Sequence, residues 1–548
     1  MKLLRPLPRR VTRPLSILVL LAWVATMVVL VHRSFVQASS ANLASDLARY
    51  GSAAQWRGVY YRNEKIGFTV SQTVATDDGL ELQEDGRLQM SLLGAQTAAA
   101  IRTTARVDRA FTLQSFEFSL DPGTGKTTVR GQVDGTALRL SVTSPSGTRS
   151  EVRQIAEPPV LALTLARRLA AAGLKSGAHY EWIIFDPATL SSAPVALDIG
   201  KREVVQLDGR SQYGIPTSVP AFRAELQYAG LRTTSWITDT GEVVREQSPM
   251  GLETVREAPE RARGMAVPYK VREDLLEASA VVPESKLRID NPRDVRRLRL
   301  RLTGADLSSP DLRGVGQSVD GDIVEIRDPQ GLRPEAADQE IARYLRPEPF
   351  LESDAPEIRA EAALAVKGVI GVRARAERLT RHVNAILDKK PTVSLPSALE
   401  VLRTRVGDCN EHTALYVAMA RALEIPARIA VGLVSVRGAF YYHAWPEVYL
   451  SEGSGRGMWL PVDPTLNQFP ADGTHLRLAR GGLDKQAAIL PLIGRLKITI
   501  LDLEIAPNTA PIVVGRQATD VSPLSIPIPK RAAAGDCWSA GPRTGRRR

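Results

Sequence analysis

Between about Ala54 and Glu257 short β-prone stretches alternate with turn signals, and no other feature of this chain restricts its fold so strongly. WRGVYYR, KIGFTVSQTV, LRLSVT, YEWIIF, EVVQL, FRAELQY and TTSWIT are separated by DDG, DPGTG, VDG, SPSG and TDTG. Strand-length runs bounded by Gly- and Asp-rich breaks predict a mostly antiparallel sheet. One exception, PVLALTLARRLAAAG, has apolar residues at helical spacing and a stop at Gly173. The region offers no catalytic-looking cluster of titratable residues, so a spacer or recognition module is the expected role.

The amino terminus carries Lys2, Arg5, Arg9, Arg10 and Arg13 ahead of an uncharged run from Leu15 to Val31, LSILVLLAWVATMVVLV. A run of this length is short for a membrane span but long for a signal-peptide core, which favours a retained anchor helix over cleavage at the small residues of QASSA. The positive charges before the run place the amino terminus inside and everything after Val31 across the membrane. The expected location is therefore the inner (plasma) membrane, single-pass, with the bulk of the chain in a periplasm.

At 548 residues the chain exceeds one hydrophobic core, and its 44% hydrophobic and 24% charged residues are ordinary for folded domains. The net charge of +11 is scattered, with no basic stripe interleaved with aromatics, so no nucleic-acid partner is expected. Two cysteines, Cys409 and Cys537, cannot build a disulfide framework, and neither lies in a paired Cys/His spacing for structural zinc. His412 makes a C-x-x-H pair with Cys409, but two further ligands are missing. No metal or cofactor is expected.

Further along, RRLRLRLTG and DIVEIRD predict two strands within an Arg/Glu/Pro-rich connecting element, and helices are predicted over 356–366 and 373–390. The domain boundaries read as 1–38 for the basic segment and anchor, 39–257 for the β-rich domain and 258–345 for the connecting β-element. They continue as 346–505 for an α+β domain and 506–548 for a low-complexity basic tail.

The strongest local signal is LPSALEVLRTRVGDCNEHTALYVAMARALEIPARIAVGLV. Gly407 breaks the preceding structure, Asp408 is an N-cap, and Glu411 completes a capping-box pattern, so a helix starts at Cys409. Ala414, Ala418 and Ala422 with Leu415, Met419 and Leu423 give it an apolar face for packing on a sheet. A cysteine in the first turn meets the positive end of the helix dipole, which favours thiolate. Three strands follow: ARIAVGLVSV, then AFYYHAWPEVYL with His443, then GMWLPVDPT ending at Asp463. In an antiparallel sheet His443 would lie across the helix terminus, taking the thiol proton, while Asp463 on the neighbouring strand would orient the imidazole. Trp445, two residues past His443, would share its sheet face and shield the pair from water, with Glu447 a further shaping residue.

In these blocks, GDCNEHTALYVAMARALEIPARIAVGLV, YYHAWPEVYL and WLPVDPT, the sequence resembles the transglutaminase-like superfamily, a rearranged relative of papain-like cysteine peptidases. The resemblance covers about 391–469 and implies Cys409 as nucleophile, His443 as base then acid, and Asp463 as orienting carboxylate. It implies a papain-like fold, with a cysteine helix packed on an antiparallel sheet. The implied activity is that of a thiol peptidase, amidase or acyltransferase on a protein or peptide substrate, with a cell-envelope substrate the expectation; a tethered, non-catalytic peptide-binding scaffold is the alternative. More distantly, residues 54–257 resemble the curved half-barrel of periplasmic lipoprotein-carrier-like domains.

Overall fold

The computed structural model describes Tyr50 and residues 54–506, apart from short internal stretches. Residues 1–38, on which the expected anchor falls, Cys537 and the basic tail lie outside the described residues, and no described helix is long and apolar enough to cross a membrane.

Fourteen strands between Gln55 and Arg256 form one antiparallel sheet. The first eight run outward in sequence from Gln55–Tyr61 to Gly147–Gln154. The chain then crosses through helix α1 (Ala162–Ala171) to the far edge at His179–Asp186, and six strands return inward until Leu252–Arg256 pairs with Gln55–Tyr61. The sheet curls on itself, because the Phe116 and Phe185 rings, from strands far apart in its order, meet at 5.5 Å in one core. A right-handed strand twist accumulated over this many strands produces such curling. A core of Leu82, Leu113, Phe116, Val129, Leu138 and Phe185 fills the bend. Gly173 ends α1 with a positive φ of 80°, a conformation that suits glycine. The long hairpin Gly79–Leu92 with Ala95–Asp108 is rich in polar residues on both faces, which hid it from the sequence reading.

The connecting β-element proves to supply three strands of a four-stranded second sheet, Val295–Thr303, Gln317–Asp320 and Ile323–Arg327. Val295–Thr303 alternates cleanly, burying Leu298, Leu300 and Leu302 while Arg299 and Arg301 face outward. It pairs with Ile323–Arg327 on one side and with the distant Lys497–Ile505 on the other. This four-stranded sheet shares one core with the cysteine-bearing region, so the expected boundary at 345 does not separate two packed units.

The third sheet has five strands in the order Glu335–Ala336, Arg456–Pro461, Ala439–Gly453, Ala427–Val436, Leu476–Arg480. Helices α4 (Val372–Ile386) and α6 (Cys409–Ala422) pack against it, α3 (Pro356–Ala365) and α5 (Ala398–Thr404) pack on α6, and α2 (Pro259–Arg263) lies on the β domain. The sequence suggested one apolar face for α6; instead every residue from Glu411 to Arg421 is buried, because α6 is enclosed by the sheet and its neighbouring helices. Arg421 at its end satisfies its guanidinium on the Ala427 and Arg346 carbonyls and on Glu348. Leu395 and Phe350 of this region reach into the core of the curled sheet, and Arg149 forks onto Asp354 with two 2.8 Å bonds.

Candidate active site

Helix α6 begins as its sequence dictates. Asp408 accepts the Asn410 N–H at 3.0 Å, and Glu411 accepts the Asp408 N–H at 2.9 Å, forming the complete capping box. Gly407 is required there, since a Cβ would stand 2.2 Å from that of Glu411. The cap fixes Cys409 as the first helical residue, half-buried, with its sulfur hydrogen-bonded to the Ala444 backbone N–H. Thr413, one turn on, donates to the Ala444 carbonyl at 3.1 Å. The cysteine is thereby tied to the strand residue that follows His443.

His443 sits opposite Gly432 in the Ala427–Val436 strand and is 6% exposed. Its Nε2 meets Asp463 Oδ2 at 2.7 Å, with both side chains buried. An ionised carboxylate only accepts, so Nε2 donates, and Nδ1 is left with its lone pair as the basic nitrogen. Asp463 lies just past the Arg456–Pro461 strand, where its Oδ1 accepts the Leu466 N–H at 2.8 Å. Trp445 stacks on His443 at 6.1 Å with an interplanar angle of 20° and is 1% exposed, so its ring shares the His443 face as expected. Glu447 lies further along the same strand, engaged with Arg428 at 2.7 Å and Arg477 at 3.3 Å rather than with the histidine.

A residue with no signal in the reading of the three blocks completes the group. His475 places Nε2 3.1 Å from Asp463 Oδ2 and Nδ1 3.1 Å from Asp472 Oδ1. Its ring meets Trp445 edge-on at 5.0 Å and His443 at 5.9 Å. The two histidines converge because Gly432 lies between their strands; a Cβ there would stand 2.0 Å from the Leu476 carbonyl oxygen. The signal that could have revealed His475 is the D-x-x-H spacing of Asp472 to His475 shortly after Asp463.

Electrostatics depart from the expectation for the thiol. Loss of solvent around the sulfur pushes the Cys409 thiol well up, and Asp408, Glu411 and Asp463 add to this, outweighing the Ala444 N–H. A helix terminus contributes roughly 0.3–1 kcal/mol, too little to reverse desolvation next to three carboxylates. Burial would also raise the Asp463 carboxyl, yet His443 and His475 overcome it and hold that group well below the carboxylate range. For His475 burial opposes the cation, while Asp472 and Asp463 lift it to about 10. Burial and the surrounding carboxylates thus favour the protonated Cys409 thiol, which is tied to Ala444, the residue after His443, while Asp463 stays ionised. The nitrogen and oxygen atoms of His443, Asp463 and His475 lie within 4.8 Å of one another, the composition of a metal site. To hold an ion both histidines would have to release the N–H groups they present to Asp463.

The model of the transglutaminase-like superfamily matches residues 364–464. The chain carries a transglutaminase-like domain. That match spans α4, α5, helix α6 with Cys409, the strand bearing His443 and the segment reaching Asp463, and ends before His475. No curated protein matches the chain. A solved structure of a candidate cysteine protease from Cytophaga hutchinsonii is similar at 17% identity, covering 39% of this chain and 89% of its own, with a TM-score of 0.26. A β-barrel-like protein from Brucella abortus is similar at 13% identity over 37% of this chain and 96% of its own, TM-score 0.29. A candidate protease from Parabacteroides distasonis reaches 12% identity over 64% of each chain, TM-score 0.18.

Proposed function

We propose that the transglutaminase-like domain is a thiol enzyme that opens amide or peptide bonds through a thioester on Cys409, and that the N-terminal run anchors it facing a periplasm. The observation that carries the reading is the buried His443–Asp463 bond, reached from a capped helix whose first residue is a cysteine tied to Ala444. In the first half-reaction Cys409 Sγ attacks the amide carbonyl while its proton passes to His443 Nδ1. The C–N bond then breaks, and the departing amine takes that proton. In the second, water or an acceptor amine loses a proton to His443 and attacks the thioester; the C–S bond breaks and His443 returns the proton to sulfur. The Cys409 backbone N–H, at the helix start, is placed to stabilise the oxyanion. Asp463 keeps the imidazole in the Nδ1-lone-pair tautomer and stabilises its cation. The membrane anchor rests on the Leu15–Val31 run and its preceding charges, and the substrate is a protein or peptide of the cell envelope.

Hydroxylamine intercepts thioesters whichever acceptor is natural. Full-length protein incubated with a tryptic peptide mixture and hydroxylamine should yield peptide hydroxamates visible by mass spectrometry, and Cys409→Ala should yield none. Hydroxamates formed equally by Cys409→Ala, or by neither protein, would contradict a thioester on Cys409.

A further inference from the structure

We propose that His475 is a positioning residue of this site: clamped between Asp463 and Asp472, it fixes the carboxylate of Asp463 so that Oδ2 faces His443 Nε2. The inference rests on the reading of Cys409 and His443 as nucleophile and base, and extends it to a residue beyond the matched domain segment.

Hydrogen-bond arithmetic carries the argument. Nε2 of His475 faces Asp463 Oδ2, while Nδ1 faces both Oδ1 and the backbone carbonyl of Asp472, each at 3.1 Å. All three partners are acceptors only, and a neutral imidazole owns a single N–H. One ring nitrogen would then oppose its lone pair to a carboxylate in a site where His475 is 5% exposed and Asp463 0%. Only the imidazolium satisfies both sides. The clamp is itself held: Asp472 accepts Thr474 Oγ1 at 2.6 Å, the Thr474 N–H at 3.0 Å and Gln468 Nε2 at 2.8 Å. Gln468 and Asp463 exchange backbone bonds at 2.8 and 2.9 Å, so the loop carrying both carboxylates is one hydrogen-bonded unit.

Asp463 Oδ2 therefore accepts from two rings, with Oδ1 occupied by the Leu466 N–H. Such a carboxylate has no freedom to rotate away from His443. The charged and titratable groups facing His475 are Asp463, Asp472 and His443, with Trp445 closing the remaining side; His412 on α6 and Lys389, between α4 and α5, act on Asp463.

The test uses the full chain in detergent, read two ways. Imidazole NMR should show His475 with both ring N–H groups at about pH 8.5, two units above an ordinary histidine. Iodoacetamide alkylation of Cys409 is then followed across pH for the wild type, His475→Gln, Asp472→Asn and His443→Ala. The proposal expects His475→Gln to slow alkylation at neutral pH by about tenfold, the scale of losing an orienting partner. Asp472→Asn, which keeps the ring, should introduce a new step as His475 gives up its proton closer to neutrality. A single ring N–H on His475 at that pH, or variant profiles superimposable on the wild type, overturns the proposal. If instead His443→Ala alkylates like the wild type, the nucleophile–base reading itself fails, and the NMR result still decides the charge of His475.

Discussion

Glu447 shows how a single buried charge supports the sheet that presents His443. Burial would raise its carboxyl, but Arg428, Arg477 and Arg480 hold it at about 2. A depressed carboxyl contributes stability that is full above its unfolded value of 4.5 and is lost as pH falls toward about 2, on the order of 3 kcal/mol for a shift of this size. Glu447→Ala strands two buried guanidiniums, Arg428 and Arg477, and should cost about 3–5 kcal/mol in urea unfolding at neutral pH. A loss below about 1 kcal/mol would show that the cluster is incidental. The start of α6 at Cys409 and the shared sheet face of His443 and Trp445 were legible in the sequence because capping chemistry and strand alternation act over a few residues. Glu447 looked like a member of the site because it shares the face of His443; only strand pairing reveals the Arg428 and Arg477 that claim it. His475 escaped notice because its partners are joined to it by the fold of the 463–475 loop, for which no periodicity exists.

At the scale of elements, the strand Ala427–Val436 joins the two histidine-bearing segments, and Gly432 sets their separation. Gly432→Ala would drive a methyl group into the Leu476 carbonyl, where backbone must move. The expected cost is about 1–3 kcal/mol or more, together with a fall in Cys409 alkylation at neutral pH, since His475 and His443 can no longer close on Asp463. A stable Gly432→Ala protein with wild-type alkylation would contradict the role assigned to this approach. Helix α6 and the three strands after it matched their expected order because each carries its own start and stop signals. The pairing of Val295–Thr303 with Lys497–Ile505 was invisible in advance, as nothing local links residues two hundred positions apart.

Across the whole molecule, the curled sheet and the transglutaminase-like domain share an apolar seam through Phe350 and Leu395. Large-to-small changes there create cavities, so the Phe350→Ala, Leu395→Ala double variant should lose several kcal/mol, roughly 3–5 or more, and lower the melting temperature of the β domain as well. Two separate melting transitions with the β domain unmoved would show that the seam is weak. The pH dependence of stability follows from the same network. The raised His475 contributes fully below its unfolded value of 6.5 and loses that contribution as pH rises toward about 10. Glu447, Asp463 and Asp472 contribute above the carboxylate range and lose it on acidification. Maximum stability is expected between about pH 4.5 and 6.5, measured by thermal unfolding across pH.

The central claim, that His443 activates Cys409, is tested most directly by the rate of Cys409 alkylation as a function of pH in the wild type and in His443→Ala. The account predicts that wild-type Cys409 reacts at neutral pH through proton transfer to His443. Without that base only the desolvated thiol remains, reacting appreciably only above the ordinary thiol range near about 8.5. Profiles that coincide for the two proteins would contradict it.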